Sequence, residues 1–470
     1  MTARPSRRLV AVFDAGKTHL KVSVIDPARL EVLYFQSSDT PWNRTPPYGH
    51  LDHEAAEAFL VDALRCCPQR HRIGHIVPIG HGAAAALIQP DGRLAAPILD
   101  YEDEAISSVD ALHARRRDGF AETLSPDLPL GLNLGRQLLF LKVRHSVLYD
   151  RASLIVPYPQ YWAFRMSGVA ASEVTSLGCH SDLWLPLTHQ FSRFAVAEGF
   201  AARFAPLRRA GDCLGSITPE FAARTGLSPD VGVHCGIHDS NAAYLGHLLT
   251  GDGKVPTVIS SGTWVVILAQ SADPARLMAS RDHLANVDAF GALVPTARFM
   301  GGREHEVIAG LDSPAPTLAA LHALIEAGVL AVPSFASSGG PFRDSIGAIS
   351  SHRPLSSVEK ATLATLYLAL VTDQCLSDLG AKGDIVVEGP LTRHPLYGAI
   401  LAALRGGERV FLADGEAASR RAACFLCGET TEVALSLNAA VPVARDLDAY
   451  RSLWRRAVDL HAGRDRCREG

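Results

Sequence analysis

The chain has 470 residues, of which 47% are hydrophobic and 20% are charged, a composition typical of compact globular proteins. Its formal net charge of -4 argues against nucleic acid or an acidic membrane as the main partner, and no apolar stretch reaches the ~20 residues of a membrane helix. The length predicts two to three domains, and nine cysteines, an odd number, suit a reducing compartment. We therefore expect a cytoplasmic protein without nucleic-acid or membrane partners.

The first predicted element is a β-hairpin with a polar turn. Leu9 to Phe13 is an apolar run typical of a buried strand, and Leu20 to Ile25 alternates as a second strand does. Gly16-Lys17-Thr18 resembles the end of a P-loop, but Ala11 stands where a P-loop needs its first glycine. The turn residues suit a site for phosphate and hydrated Mg²⁺, and an ordinary hairpin with polar turn residues explains them equally well.

The same order of elements begins again in the second half of the chain. A strand from Thr257, a turn at Ser261-Gly262-Thr263 and a second strand follow a break between Gly246 and Lys254, where Gly251-Asp252-Gly253 is typical of a linker. We predict two similar α/β domains, 1–248 and 249–470, facing each other across a cleft. The other predicted strands are Glu31 to Phe35 and Ala292 to Phe299, and the predicted helices are His53 to Cys66, Arg136 to Val147, Ser357 to Leu379 and Tyr450 to His461.

The segment Gly236-Ile237-His238-Asp239 predicts a loop that opens a helix. Asp239 has two interpretations: it could cap the helix, or it could act as a general base that accepts the proton of an attacking hydroxyl. His238 could contact a substrate hydroxyl or be an ordinary loop histidine. The stretch EVTSLGCHSDLW, residues 173–184, could form a wall of a sugar site or pack as a surface loop.

The cysteines and histidines suggest no metal centre at this stage. Cys424-x-x-Cys427 could bind zinc or be redox-active, but its Ala-rich helical context and the lack of a second pair favour buried helix positions. No metal-ligand cluster is recognisable among the 19 histidines.

Five blocks in this order resemble the FGGY family of carbohydrate kinases, within the actin, hexokinase and heat-shock ATPase superfamily. The resemblance spans residues 9 to about 430 and implies two similar actin-like (ribonuclease H-like) domains with a catalytic cleft between them. The blocks are Asp14-Ala15-Gly16-Lys17-Thr18 with Lys21, then Gly236 to Asp239, Ser260 to Trp264, Asp384 to Pro390 followed by a helix from Pro395, and Glu416-Ala417-Ala418 with Ala422-Ala423.

Within the family, the sequence is most similar to the rhamnulokinases and related deoxy-ketose kinases. The histidine before Asp239 is one such feature, and Asn133-x-x-x-Gln137-Leu138 is another. Three segments depart from the family pattern. In the adenosine motif, Glu388 and Pro390 flank Gly389. Elsewhere, Gln137 and Phe140 replace a lysine and a tryptophan, and Asp100-Tyr101-Glu102 replaces Trp-x-Asp.

The resemblance implies a role for each matched residue, with ATP and Mg²⁺ as cofactors and a homodimer as a possible assembly. Asp239 would be the general base, and Asp14 would hold Mg²⁺ through water. The sugar would contact His81, Gly82, His238 and Asp239. Nucleotide binding would involve Gly16, Lys17, Thr18, Lys21, Ser261, Gly262, Thr263 and Gly389.

Three functional hypotheses follow. The first is an ATP-dependent kinase of a small ketose or related sugar, with an L-rhamnulose- or L-fuculose-like deoxy-ketose favoured. The second is a catalytically weak sugar- or nucleotide-sensing regulator of the same fold, supported only by the altered adenosine motif. The third is a chaperone-like or actin-like ATPase. The retained Asp239 favours the kinase, because inactive homologues usually lose this carboxylate first. The segment Phe299 to Glu304 has no predicted role beyond a cleft loop or a strand-to-helix turn.

Overall fold

The computed structural model describes residues 8–249, 255–336, 339–343, 345–413, 416–429 and 433–466. The predicted linker glycines, Gly251 and Gly253, lie outside these residues. The strands up to residue 249 are β1 (Leu9–Ala15), β2 (His19–Asp26), β3 (Glu31–Asp39), β4 (Trp42–Asn43), β5 (His50–Leu51), β6 (Ile73–Gly80), β7 (Ala85–Ile88), β8 (Leu154–Pro157), β9 (Trp184–Leu185), β10 (Gln190–Phe191), β11 (Cys213–Ser216), β12 (Gly232–His234) and β13 (Ile237–His238). The α-helices in the same part are α1 (His53–Cys66), α2 (Asp110–Arg116), α3 (Phe120–Thr123), α4 (Leu134–Arg144), α5 (Ser146–Asp150), α6 (Tyr158–Ser167), α7 (Val174–Leu177), α8 (Arg193–Ala197), α9 (Pro219–Thr225) and α10 (Asp239–Leu248).

The remaining part of the chain continues in the same α/β style. Its strands are β14 (Thr257–Ser261), β15 (Val265–Leu268), β16 (Leu284–Val287), β17 (Leu293–Phe299), β18 (Leu330–Val332), β19 (Ala348–Ser350), β20 (Ile385–Glu388), β21 (Val410–Ala413) and β22 (Leu437–Ala439). Its α-helices are α11 (Gly301–Ala309), α12 (Leu318–Glu326), α13 (Ser357–Leu379), α14 (Pro395–Leu404), α15 (Ala417–Leu426) and α16 (Asp448–Arg466). Short 3-10 helices cover Arg70–Arg72, Glu104–Val109, Pro274–Arg276, Ala279–Arg281 and Pro390–Arg393.

The chain forms two compact units that are not continuous in sequence. The first unit contains Met1–Leu249, Ala285–Leu293 and Ala417–Ala434, and the second contains Thr250–Leu284, Val294–Glu416 and Leu435–Gly470. The predicted domains 1–248 and 249–470 follow the same main division without these two returning segments. Helix α15 thus belongs to the first unit, where Gly246 of α10 approaches its backbone so closely that an added Cβ would lie 2.0 Å from the carbonyl oxygen of Ala418.

The described residues form two seven-stranded mixed sheets. The first sheet has the order β11-β12-β6-β1-β2-β3, with β13 also paired to β6, and the second has the order β16-β17-β15-β14-β20-β21-β22. In the first sheet, strand β1 of the hairpin β1-β2 lies parallel to β6, and β2 pairs with the antiparallel strand β3. In the second sheet, β14 of the hairpin β14-β15 lies parallel to β20 in the same way, and β15 pairs with the antiparallel strand β17. The predicted repetition of one plan is therefore present, and the predicted α/β fold class is confirmed.

The burial of the first hairpin follows from its sequence. Strand β1 is buried along its length except at Asp14, as expected for a strand covered on both faces. In β2, Leu20, Val22 and Val24 are buried while Lys21 and Ser23 are partly exposed, so that the alternation of the sequence becomes an inner and an outer face. Among the described residues, the helices include none that is long and apolar enough to cross a membrane.

Candidate functional site

The turn of the first hairpin is held in one conformation by backbone contacts. Gly16 N–H donates to the carbonyl of His19 at 3.0 Å, and a Cβ on Gly16 would lie 2.9 Å from that oxygen. Thr40 Oγ1 donates to the carbonyl of Gly16, and Trp42 Nε1 donates to the carbonyl of Lys17, each at 2.9 Å. The turn is therefore preorganised, which is the property that close approach to a phosphate requires.

The two predicted lysines point toward carboxylates of the first unit. Lys17 Nζ forms an ion pair with the buried Asp100 and lies 3.4 Å from Glu102 Oε2. Its Nζ is also 3.8 Å from the centroid of the Trp42 ring. Lys21 Nζ is 3.5 Å from Asp14 Oδ2, directly across the hairpin. In this structure Lys17 is thus held by residues 100–102, the segment that departs from the family pattern.

The carboxyl ends of three strands bring the remaining predicted residues of the first unit together. In β6, Gly80 is paired with Ala15 of β1 on one side and with His238 of β13 on the other. Asp239 follows β13 immediately and begins α10. Because ligands of α/β proteins bind at the carboxyl ends of the strands, this edge is the candidate site of the first unit.

His81 offers a buried nitrogen to this edge. Its Nδ1 is 2.8 Å from the carbonyl of Gly82 and must donate to it, which leaves Nε2 as an acceptor. Nε2 is buried and has no hydrogen-bond partner. Burial lowers the pKa of His81 to about 4, against the opposite effect of Asp239, so that the ring is neutral at pH 7. A Cβ on Gly82 would lie 2.6 Å from Cys179 Sγ and 3.1 Å from His238 Nε2, so only glycine fits there.

His238 and Asp239 form a coupled pair. His238 Nε2 is 3.2 Å from Asp239 Oδ1, which also accepts the backbone N–H of Ser240 at 2.6 Å. Burial by itself lowers the pKa of His238, but the neighbouring Cys179, Asp239 and Glu173 outweigh it and raise the pKa to about 9. The N-cap position of α10 is occupied by His238, so Asp239 is the first helical residue rather than the cap.

The charge on His238 also bears on the amide of Asn241. Asn241 Nδ2 is 3.1 Å from His238 Nδ1, and in that orientation Asn241 Oδ1 is buried without a partner. The opposite orientation of the amide would let Oδ1 accept the Nδ1–H of an imidazolium. A protonated His238 therefore suits its surroundings on both sides of the ring.

Glu173 and Thr175 lie behind the loop at His238, in the stretch 173–184 that the sequence analysis assigned to either a sugar-site wall or a surface loop. Glu173 is fully buried, and its Oε2 accepts both the N–H and the hydroxyl of Thr175. Thr175 Oγ1 in turn accepts the backbone N–H of His238 at 3.1 Å. Burial raises the pKa of Glu173 to about 7, although its bonds to Thr175 oppose the shift. Glu173 and Thr175 are therefore buried residues that hold the backbone at His238, and they do not form a surface loop.

Gln137 supports the opposite side of the edge. Its Nε2 donates to the carbonyls of Ala83 and Gly131, each at 2.6 Å, and so fixes the loop that carries His81 and Gly82. The sequence analysis singled out Gln137 both as part of the Asn133-x-x-x-Gln137-Leu138 feature and as a departure from the family pattern. Its structural role could not be read from the sequence, because its partners lie 54 and 6 residues away.

The second hairpin resembles the first but uses its polar residues differently. Gly262 N–H donates to the carbonyl of Trp264 at 2.8 Å, and both Gly262 and Thr263 are exposed at the tip. Ser261 is buried, donates from Oγ to the carbonyl of Glu388 at 2.5 Å and accepts the N–H of Leu391 at 3.1 Å. The exposed tip is open to a ligand, whereas Ser261 ties the hairpin to the loop after β20.

Gly389 occupies a conformation that favours glycine. Its φ is +82°, and a Cβ there would lie 2.1 Å from the carbonyl oxygen of Ser261. Glu388 is the last residue of β20 and is buried, and Pro390 starts a short 3-10 helix. The altered adenosine motif therefore keeps the close approach between this loop and the hairpin.

The segment 299–304 turns a strand into a helix. Strand β17 ends at Phe299 and α11 begins at Gly301, with Gly302 so close to the hairpin that a Cβ would lie 2.4 Å from the carbonyl oxygen of Gly262. Glu304 is buried and accepts hydrogen bonds from Tyr367 and Ser334, and burial raises its pKa. The structure thus gives this segment a packing role beside the hairpin tip.

The residues present fit Mg²⁺ and ATP by their chemistry. Mg²⁺ is bound by one or two carboxylates, waters and phosphates, and Asp14 offers a carboxylate that is 31% exposed beside a preorganised turn. The exposed backbone at Gly262 and Thr263 suits phosphate oxygens. In the first unit Asp14 is therefore the residue that would hold the metal, and in the second unit Gly262 and Thr263 are the residues that would hold phosphate oxygens.

A second cluster of metal-ligating side chains corrects the sequence analysis. His75, His234 and Cys427 each place one ligand atom within 4.8 Å of the others. Cys424 is buried in α15, as predicted, but Cys427 follows the helix and joins the two histidines. The sequence did not reveal this cluster because its members are separated by more than 150 residues.

Comparison with known proteins identifies the family. A sequence model of the family described as "Carbohydrate kinase FGGY, C-terminal domain" matches residues 254–434. The crystal structure of a carbohydrate kinase from Novosphingobium aromaticivorans is 37% identical, with a TM-score of 0.87, over 97% of this chain and 99% of that one. The chain belongs to the FGGY family of carbohydrate kinases. The family predicted from the sequence is thereby confirmed.

Two further relatives share less sequence identity with this chain. L-fuculokinase of Escherichia coli (strain K12) is 23% identical over 278 residues, which is 57% of this chain and 57% of that protein. The match thus spans little more than half of the length of this curated relative. The ligand-bound xylulose kinase from Lactobacillus acidophilus is 14% identical with a TM-score of 0.79 and covers 97% of this chain and 98% of that chain, which shows a shared fold. The rhamnulokinase-like branch within the FGGY family stays a prediction.

Proposed function

We propose that this FGGY protein is an ATP-dependent sugar kinase that phosphorylates a hydroxyl of a small ketose or related sugar. The observation that carries the proposal is the carboxylate of Asp239 at the carboxyl edge of the first sheet, beside the unpartnered nitrogen of His81. The carboxylate of Asp239 could deprotonate one hydroxyl of a sugar, and the neutral nitrogen of His81 could accept a hydrogen bond from another. Membership of the FGGY family supports ATP as the donor.

Asp239 would accept the proton of the sugar hydroxyl. Its contacts with His238 and Ser240 all use Oδ1, so the hydroxyl would approach Oδ2. The contact with His238 Nε2 at 3.2 Å holds the carboxylate in a fixed orientation. The side chain of Asp239 is 41% exposed, so a ligand can reach it.

The sugar would be oriented mainly by the residues around Asp239. His81 Nε2 would accept a hydrogen bond from a sugar hydroxyl, and Gly82 would leave room for the ring of His238. A sugar that lacks this hydroxyl would bind more weakly, because the buried Nε2 of His81 would then have no hydrogen-bond donor. A deoxy-ketose resembling L-rhamnulose or L-fuculose is the favoured substrate, in keeping with the similarity to L-fuculokinase.

In each unit, taken by itself, the hairpin turn would offer contacts to phosphate. In the first unit these are Gly16 and Thr18, with Lys21 beside Asp14, and in the second unit they are Gly262 and Thr263. Mg²⁺, held through Asp14, neutralises charge on the transferred phosphoryl group when it is bound. Gly389 lets the nucleotide approach the loop after β20.

The test is a coupled ADP-release assay with MgATP against ketoses, deoxy-ketoses, aldoses and polyols. We expect sugar-dependent turnover with one class of substrate and a loss of about 10²–10⁴-fold in kcat for Asp239→Asn, the usual contribution of a general base. Asp62→Asn, at an exposed position of α1, is the matched control and should retain full activity. Nucleotide binding without turnover on any sugar would overturn the kinase proposal in favour of a sensing regulator.

A further inference from the structure

Three strand positions of the first sheet present metal-ligating side chains on one face. Cys213 of β11 lies directly opposite His234 of β12, and Gly232 of β12 lies opposite His75 of β6. Because side chains alternate along a strand, Gly232 and His234 share a face. Cys213, His234 and His75 are therefore neighbours at one corner of the sheet, away from the edge that carries Asp239.

The end of helix α15 closes this corner. Cys427 comes directly after the helix, and its sulfur lies with one nitrogen of His75 and one of His234 in a set of atoms within 4.8 Å of one another. His75 Nδ1 and His234 Nε2 are 3.1 Å apart. In a tetrahedral zinc site, with Zn–N of about 2.0–2.1 Å and Zn–S of about 2.3 Å, ligand atoms are separated by about 3.3–3.8 Å. Small shifts would thus bring these three atoms to ligating positions.

His234 already has the hydrogen-bonded outer partner that a metal ligand needs, and His75 has a carboxylate close to its outer nitrogen. His234 Nδ1 is 3.0 Å from the carbonyl of Gly211 and must donate to it, so the lone pair of Nε2 faces the cluster. On the far side of His75, Nε2 is 4.0 Å from Glu429 Oε1, which leaves Nδ1 facing the cluster. A carbonyl or carboxylate behind a histidine fixes the ligating tautomer and ring orientation in metal sites.

The two facing nitrogens of the histidines can share a metal ion. His75 Nδ1 and His234 Nε2 are 3.1 Å apart, a distance that a hydrogen on His75 Nδ1 bridges; when that hydrogen moves to Nε2 of His75, a metal ion can take its place. A divalent cation satisfies both lone pairs at once.

A fourth ligand is available beside the cluster. A Cβ on Gly232 would lie 3.3 Å from Cys213 Sγ and 3.9 Å from His75 Nδ1. Since Gly232 has no side chain, this point is left open between the sulfur and the imidazole. Cys213 is exposed, so it can turn toward the cluster without repacking of the core.

We propose that His75, His234, Cys427 and Cys213 bind one Zn²⁺ per chain. Two imidazoles and two thiols form a tetrahedral zinc set and are poor ligands for Mg²⁺, which prefers oxygen. Binding replaces the thiol protons of the two cysteines by metal–sulfur bonds and releases those protons to solvent. The ion would join the end of α15 to the sheet of the first unit, so its role is structural and independent of phosphoryl transfer.

The first test uses the full chain purified without chelators, with zinc content and Co²⁺ substitution as readouts. We expect one metal per chain and the near-ultraviolet thiolate absorption of tetrahedral Co²⁺. Cys427→Ser should weaken binding by more than the roughly 10–100-fold that loss of an outer partner costs, and should remove part of that absorption. Cys66→Ser, at an exposed cysteine elsewhere in the first unit, is the control and should change neither readout.

A second test does not depend on a variant that folds. Alkylation of the wild-type chain, followed by mass spectrometry, should show Cys427 and Cys213 protected by added Zn²⁺ and exposed again by a chelator, while Cys66 reacts at the same rate in both conditions. Equal alkylation of Cys427 with and without Zn²⁺, or unchanged metal content in Cys427→Ser, would overturn the proposal. Neither readout requires kinase activity, so a failure here is distinguishable from a failure of the proposed function.

Discussion

Replacing the buried Glu173 by glutamine should make the first unit more stable at pH 8 but not at pH 4.5. Burial raises the pKa of Glu173 from 4.5 to about 7, so the folded state holds a proton that the unfolded state releases. This contribution to stability is complete below pH 4.5 and is lost as the pH rises through 7. The difference between the pKa values of Glu173 in the unfolded and folded states corresponds to about 3 kcal/mol in the free energy of unfolding, at about 1.36 kcal/mol for each pKa unit.

Glu173→Gln keeps an oxygen for the two hydrogen bonds from Thr175 and removes the charge. At pH 8 we expect Tm to rise by about 5 °C, from about 2 °C per kcal/mol for a unit of this size. The assay is differential scanning calorimetry of both proteins at the two pH values. Glu31→Gln, at the exposed start of β3, is the control and should change Tm at pH 8 by much less than Glu173→Gln does. A Glu173→Gln shift that is the same at pH 4.5 and pH 8, or a loss of stability at pH 8, would refute the reasoning.

Two further substitutions separate the nucleotide from the sugar. Gly389→Ala places a Cβ 2.1 Å from the carbonyl oxygen of Ser261 and so strains the loop after β20. We expect KM for MgATP to rise roughly tenfold, the equivalent of about 1.4 kcal/mol, while KM for the sugar stays unchanged. The reverse pattern in steady-state kinetics would contradict this prediction. Lys17→Ala leaves the buried Asp100 without its nearest cation, and an unpaired buried charge is costly. Because residues 100–102 replace the Trp-x-Asp that often follows the sugar-site strand in the family pattern, KM for the sugar should rise on the order of tenfold, with Lys17→Arg as the control. A rise confined to KM for MgATP would instead support a phosphate contact.

The elements with local signals were predicted well. Helix α1 runs from His53 to Cys66 as predicted, and α13 runs from Ser357 to Leu379 because a capping box at Ser356 starts it and Gly380, with φ +69°, ends it. The predicted helix from Arg136 to Val147 is instead divided at His145 into α4 and α5. No proline or glycine marks that break, so the sequence pattern alone could not reveal it.

The parts of the site that were missed depend on contacts between distant residues. Asp239, His81 and Gly82 were predicted as site residues because their residue types match the chemistry and the family pattern, and they stay predictions. The buried carboxyl of Glu173 acts through Thr175 on the backbone of His238, 63 residues further along the chain, and no local pattern encodes that contact. Likewise, Cys427 approaches the histidines only because α15 returns to the first unit.

The most direct test of the central claim is to follow the γ-phosphoryl group itself. The wild-type chain is incubated with γ-labelled MgATP and the sugar that gives the highest turnover, and the products are identified by mass spectrometry beside Asp239→Asn and Asp62→Asn. The account predicts that the wild type and Asp62→Asn transfer the label to the sugar and that Asp239→Asn does not. Label recovered only as inorganic phosphate, or transferred to the sugar equally well by Asp239→Asn, would contradict it.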